Sequence, residues 1–137
     1  MMPEPQVLKS PLLNQTIGTG DTNFAVHENQ SNGPHDLPSG GIPLHLHRTV
    51  DEAWYVLQGT LRFRHGVREF DAVAGSGVLL PHGTPHTFWN PGPGPARYLL
   101  IVGPKTERLL ESLHGPRVPE AGALRKLYAS FDVDLLE

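Results

Sequence analysis

Residues 45–52 read His45-Leu46-His47-Arg48-Thr49-Val50-Asp51-Glu52, and this stretch decides the fold. In an extended strand, side chains at i and i+2 lie on one face. A strand over 42–47 therefore puts His45 and His47 together and turns Leu44 and Leu46 the other way. The turn RTVD leads into an aromatic and β-branched run, Glu52–Gln58, which is a second strand with Glu52 at its start. If the two strands are neighbours, the Glu52 carboxylate points back at the two imidazoles. A fourth candidate, His86, opens a strand over 86–90 directly after the Pro81-His82-Gly83-Thr84-Pro85 turn. Imidazole and carboxylate together suit first-row divalent metals. An isolated His-x-His is a weak motif. Here its weight comes from the turn glycines and prolines spaced around the same ligands.

Outward from this stretch the chain is a series of short strands. They are expected at 22–27 (Phe24 and Val26 on one face), 61–65, 67–73, 78–81 and 97–102, separated by Gly- and Pro-rich turns. The segment 29–41 is polar and rich in Gly and Pro, so it is read as a loop. Residues 1–16 are interrupted by proline and read as irregular or as an edge strand. Strands at such close spacing indicate an all-β barrel or sandwich. After about residue 104 the period changes. Leu109, Leu110 and Leu113 follow helical spacing, with Gly115 as a C-terminal cap. Pro119 can open a second helix, whose Leu124, Leu127, Tyr128 and Phe131 form one stripe. With 137 residues, no repeat and no composition break, the chain is read as one domain over 1–137. Its barrel core is about 22–103 and its C-terminal helical segment about 104–131.

Composition excludes several functions. The absence of cysteine removes disulfides, thiolate metal sites and cysteine nucleophiles. A net charge of −3 with scattered Lys and Arg lacks the basic patch of a nucleic-acid binder. No apolar run is long enough to cross a bilayer, and the start lacks the pattern of a secretion signal. The expected setting is therefore cytoplasmic, with neither nucleic acid nor membrane as partner.

The order His45-x-His47, four residues, Glu52, six residues, Gly59 resembles the first motif of the cupin superfamily. The order Gly75, five residues, Pro81-His82-Gly83, two residues, His86, three residues, Asn90 resembles the second, with fifteen residues between them. One marker departs: Ser39 stands where the family usually has glycine, and Gly40 and Gly41 follow it. The resemblance covers about residues 22–103 and implies a small single-domain cupin of the cupin 2, quercetinase-like type. It implies a double-stranded β-helix (jelly-roll) barrel with one or two short C-terminal helices. It also implies one divalent transition metal (Zn, Fe, Mn, Ni or Cu) held by His45, His47, Glu52 and His86, and a homodimer. Gly59, Gly75, Pro81, Gly83 and Asn90 are read as turn architecture, not as ligands.

Alternation aims Trp54 and Val56 the way Glu52 points, Phe88 the way His86 points, and Leu61 with Phe63. Trp54, Phe63 and Phe88 are thus candidates for an apolar substrate pocket, or simply for barrel filling. Tyr55 should face outward. His82 is read as an exposed turn residue, and His27, His65 and His114 as facing solvent or loops. His35 lies in the loop 29–41, and Arg48 and Asp51 are read as solvated. A divalent ion on three neutral imidazoles and one carboxylate leaves a net positive site that would take a small molecule with an anionic or enol oxygen. The leading expectation is a metal-dependent dioxygenase, an oxidoreductase acting on an enol or aromatic substrate. The alternatives are a non-catalytic small-molecule sensor and a sugar or keto-acid isomerase. An isomerase would want an added acid–base residue, for which Tyr55 and His35 are the only candidates, and no catalytic residue is assigned from the sequence.

Overall fold

The computed structural model describes residues 4–33, 43–113 and 120–136. In chain order its elements are β1 (Ala25–Ser31), β2 (His45–His47), β3 (Glu52–Gln58), β4 (Thr60–His65), β5 (Arg68–Val73), β6 (Gly77–Leu80), β7 (His86–Trp89), β8 (Ala96–Val102), α1 (Pro104–Leu113), α2 (Ala121–Ser130) and β9 (Val133–Leu135). The strands form two antiparallel sheets, one of order β1-β8-β3-β6 and one of order β5-β4-β7-β2-β9. This is the expected double-stranded β-helix barrel. The two motif strands β2 and β3 belong to different sheets. Glu52 therefore reaches the histidines across the barrel, not along one sheet as strand adjacency would have it.

The chain passes between sheets at Gly59, where β3 ends in one and β4 begins in the other. Gly59 has φ +76°, and a Cβ there would stand 2.3 Å from the Pro95 carbonyl oxygen. Only glycine satisfies both conditions. Alternation along β3, β4 and β7 then fills the space between the sheets. Trp54, Val56, Leu61, Phe63, Leu80, Phe88 and Tyr98 make one buried cluster. Phe63 and Phe88 are cross-strand partners whose rings stack at 5.7 Å, and Trp54 stands edge-on to Phe63 at 5.2 Å. Each such ring, fully buried, contributes on the order of 2–3 kcal/mol by removal from water.

The first strand differs from expectation. It runs later, into the start of the polar segment read as loop, and Ala25 is the residue that faces the core while Phe24 is exposed. The register explains this: Ala25 opposes Val102 of the central strand β8, which selects the opposite alternation phase. Ile17 forms an isolated bridge to Val26 on its other side, and Ser10 of the N-terminal segment donates to Glu28 at 2.6 Å.

The C-terminal region carries both expected helices. Helix α1 opens on Pro104, a favoured first helical position. In α2, Leu124, Leu127 and Tyr128 are half-buried, and so is Phe131 just beyond its end. The helix stops at Ser130, and the chain turns through Asp132 at φ +62° into β9, a strand that the sequence reading took for helix end and tail. Gly115 and Pro119 lie outside the described residues.

Candidate metal centre

Strand β2 delivers His45 and His47 to one face, as alternation demands. His45 is the cross-strand partner of His86 on β7, and their rings lie 4.4 Å apart. The positioning turn before His86 is tied to β2 by Gly83, whose amide, at φ +89°, donates to the His47 carbonyl at 2.8 Å. Glu52 enters from the facing sheet. One donor atom from each of His45, His47, Glu52 and His86 lies within 4.8 Å of every other, and all four residues are buried. Two ligands on one ion at about 2.1 Å each stand at most about 4.2 Å apart. The four donors thus stand near the separations that ligands of one ion require.

Outer contacts orient the rings. His45 Nδ1 meets the Pro43 carbonyl at 2.8 Å and His86 Nδ1 meets the Thr84 carbonyl at 3.0 Å. These contacts assign the N–H to Nδ1 and leave Nε2 as the free lone pair, the arrangement usual for metal-bound imidazoles. His86 Nε2 and both nitrogens of His47 are buried without a hydrogen-bond partner. His47 Nε2 approaches Glu52 Oε1 to 2.5 Å, and His86 Nε2 approaches Glu52 Oε2 to 4.0 Å. The first is a contact without hydrogen-bond alignment. Buried polar atoms left unpaired cost about 1–3 kcal/mol each, so a clustered set of them is unusual unless something binds there. Burial foremost, then the neighbouring His86, pushes the His45 imidazole down to about 4. Burial likewise lowers His86. For Glu52 burial alone would raise the carboxyl, but the three imidazoles, His47 first, outweigh it and hold it below its ordinary range. Neutral His45 and His86 beside an ionised Glu52 match the protonation states a divalent cation requires. The residues present therefore fit such an ion.

Trp54, Phe63 and Phe88 are 1%, 0% and 4% exposed and pack on one another in the core. Of the three, Trp54 reaches the cluster, edge-on to His86 at 6.4 Å, and its buried indole N–H has no acceptor. An open hollow of about 510 Å³ along Gln6, Ile17 and Thr22 lies elsewhere and is not bordered by the four donors.

The remaining expectations divide. Tyr55 faces outward and Asn90 is buried, donating to the carbonyls of Ser31 and Gly94. His82 is exposed, and its backbone and ring nitrogens meet Asp51 Oδ1 at 2.9 and 2.7 Å. Asp51 thus ties the first motif to the second, a role beyond solvation. His27 is half-buried, and its Nδ1 meets Thr16 Oγ1 of the N-terminal segment at 3.5 Å. It lies on the inward face, opposite Leu100, and Nε2 contacts the buried Glu107 of α1. His65 is half-buried, with Nε2 unpaired. Arg48 is partly exposed but bridges Asp132 and Asp134. His35 and His114 lie outside the described residues. The sequence reading passed over Asp132. Its only local signal is the Val133-Asp134-Leu135 alternation, too short to stand out.

Residues 35–102 match the family model described as Cupin domain. Among solved structures, a cupin protein of Bacteroides fragilis is similar with TM-score 0.57 and 16% identity, over 74% of this chain and 86% of that one. A Silicibacter pomeroyi protein described as a sugar phosphate isomerase from a cupin superfamily is 25% identical with TM-score 0.52. That match covers 60% of this chain and 51% of the other, about half its length. A Klebsiella pneumoniae protein with a double-stranded beta-helix domain is 22% identical with TM-score 0.50, over 60% and 68% of the two chains. No curated protein matches the sequence.

Proposed function

We propose that this chain, whose residues 35–102 match the Cupin domain model and whose fold is similar to that of solved cupins, is a cupin-type metal-dependent enzyme acting on a small molecule. His45, His47, Glu52 and His86 are its ligands to one divalent transition metal. The observation that supports this reading is the convergence of four buried donors, among which His86 Nε2 and both His47 nitrogens make no aligned hydrogen bond.

When bound, a divalent ion supplies a Lewis-acidic positive charge with open positions for an oxygen ligand. The protein does the rest. His45 and His86 hold their free nitrogens inward through the Pro43 and Thr84 carbonyls. Glu52 offsets one unit of charge, so the centre stays net positive and favours an anionic or enol oxygen. Trp54 packs edge-on to His86, and Phe63 and Phe88 pack against Trp54. Aromatic, apolar surroundings beside a cationic centre suit an enol or aromatic substrate, and dioxygenase chemistry is the reading we adopt. The similarity to a sugar phosphate isomerase at 25% identity supports a second reading, an isomerase.

Elemental analysis of the purified protein and of His47→Ala tests the centre. The expected result is about one first-row divalent ion per chain, lost in the variant. Absence of metal from both proteins, even after reconstitution, refutes the proposal. Oxygen uptake with enol and flavonol substrates, set against aldose–ketose conversion of sugar phosphates, separates the two reactions.

A further inference from the structure

Strand β2 carries two of the four donors yet spans only His45–His47. On one side it registers with β7 at a single residue pair, His45 with His86. On the other side β9 matches it along its whole length: His45 with Leu135, Leu46 with Asp134, and His47 with Val133. The amide of Leu136 donates to the Leu44 carbonyl at 2.9 Å, and the amide of Arg48 donates to the Asp132 carbonyl at 2.8 Å, so the pairing is closed at both ends.

Side chains lock the same join. Arg48 donates to Asp132 Oδ1 at 3.2 Å and to the Ala129 carbonyl at 3.0 Å, and pairs with Asp134 at 3.3 Å. Lys105 of α1 bonds the other Asp132 oxygen and reaches Thr49 Oγ1 at 3.3 Å. Asp132 sits at φ +62°, a conformation that costs a non-glycine residue energy and that Asp tolerates better than most. One residue thus joins three elements, α1, β2 and β9, beside the donors.

We infer that the Arg48–Asp132–Lys105 clasp and strand β9 are positioning elements of the metal centre. They hold β2 so that His45 and His47 meet His86 and Glu52, and thereby set the affinity for the ion. This rests on the metal reading above. Exposed ion pairs add little to stability on their own. The effect of this one lies in geometry, because on the β7 side the strand has only the His45–His86 pair and the Gly83–His47 hydrogen bond.

The test uses the full chain and zinc. Asp132→Asn keeps the shape and the tolerance for positive φ but removes the charge. Arg48→Met and Arg48→Lys vary the bridge, and Arg62→Met cuts an exposed pair with Asp71 elsewhere on the barrel. Zinc affinity is measured by competition with a chromogenic chelator, and the melting temperature of each metal-free protein is measured beside it. The expected result is a fall in affinity of about 10- to 100-fold in Asp132→Asn and Arg48→Met, the range typical of groups that orient ligands. Arg48→Lys should recover part of it and Arg62→Met should bind like the parent. Parent-like affinity in folded Asp132→Asn and Arg48→Met overturns the inference while leaving the metal reading intact. If Arg48→Met does not fold, Lys105→Met decides on the same criterion. A parent protein that binds no zinc overturns the metal reading, and this inference with it.

Discussion

At the scale of single residues, the chemistry of the centre is set by burial acting on imidazole. His45 ordinarily titrates near 6.5 and is held down to about 4, with burial the main cause. Between these values the unfolded chain binds a proton there that the folded chain does not. Stability of the metal-free protein is therefore full above pH 6.5 and is lost as pH falls toward 4. At about 1.4 kcal/mol for each pH unit, the loss from this residue is on the order of 3 kcal/mol. His86, also lowered by burial, adds in the same direction. Glu52, held below its ordinary range, contributes stability that disappears as pH falls further. Urea unfolding of the metal-free protein between pH 7 and 4 should show this decline. A His45→Gln variant should flatten it, and an unchanged slope in that variant would contradict the assignment.

At the scale of elements, turns decide which sheet each strand joins. Gly59 and Gly83 are both left-handed, with φ +76° and +89°, but they differ in surroundings. A methyl group on Gly59 would collide with the backbone of Pro95 and Ala96, whereas one on Gly83 meets nothing within 4 Å. Gly83→Ala should therefore cost only the backbone term, about 1–2 kcal/mol. Gly59→Ala should cost clearly more, because two backbone segments must part. Thermal or chemical denaturation of the two variants checks the order. Equal losses would show that the collision at Gly59 is relieved without strain. The same glycine shows how a sequence motif acts: it was legible as a turn marker, but its work as the crossover between sheets depends on Pro95, which comes from a distant turn.

At the scale of the whole molecule, the barrel brings together donors from both sheets. An ion bound there stabilises the folded state and has no equivalent site in the unfolded chain. At an ion concentration one hundred times the dissociation constant the gain is about 2.7 kcal/mol. Saturating zinc should thus raise the melting temperature by several degrees and a chelator should reverse the shift, with no response in Glu52→Gln beyond that of nonspecific binding. A melting temperature indifferent to both additions in the parent protein would count against the centre. Among the described residues, no helix is long and apolar enough to cross a membrane.

The sequence by itself determined the local geometry. Period-two alternation placed His45 with His47, Glu52 with Trp54 and His86 with Phe88, because side-chain direction in a strand depends only on position parity. Turn residues marked most strand ends for the same local reason. Tertiary structure decided what parity cannot carry. The phase of β1 followed its register against β8, which turned Ala25 and His27 inward. Glu52 met the histidines from the opposite sheet. Strand β9 found β2 across the chain, with Arg48 and Asp132 separated by 84 residues. A strand of three residues has too short a run to announce a period, and its existence rests on hydrogen bonds to a partner that only the folded chain brings within reach.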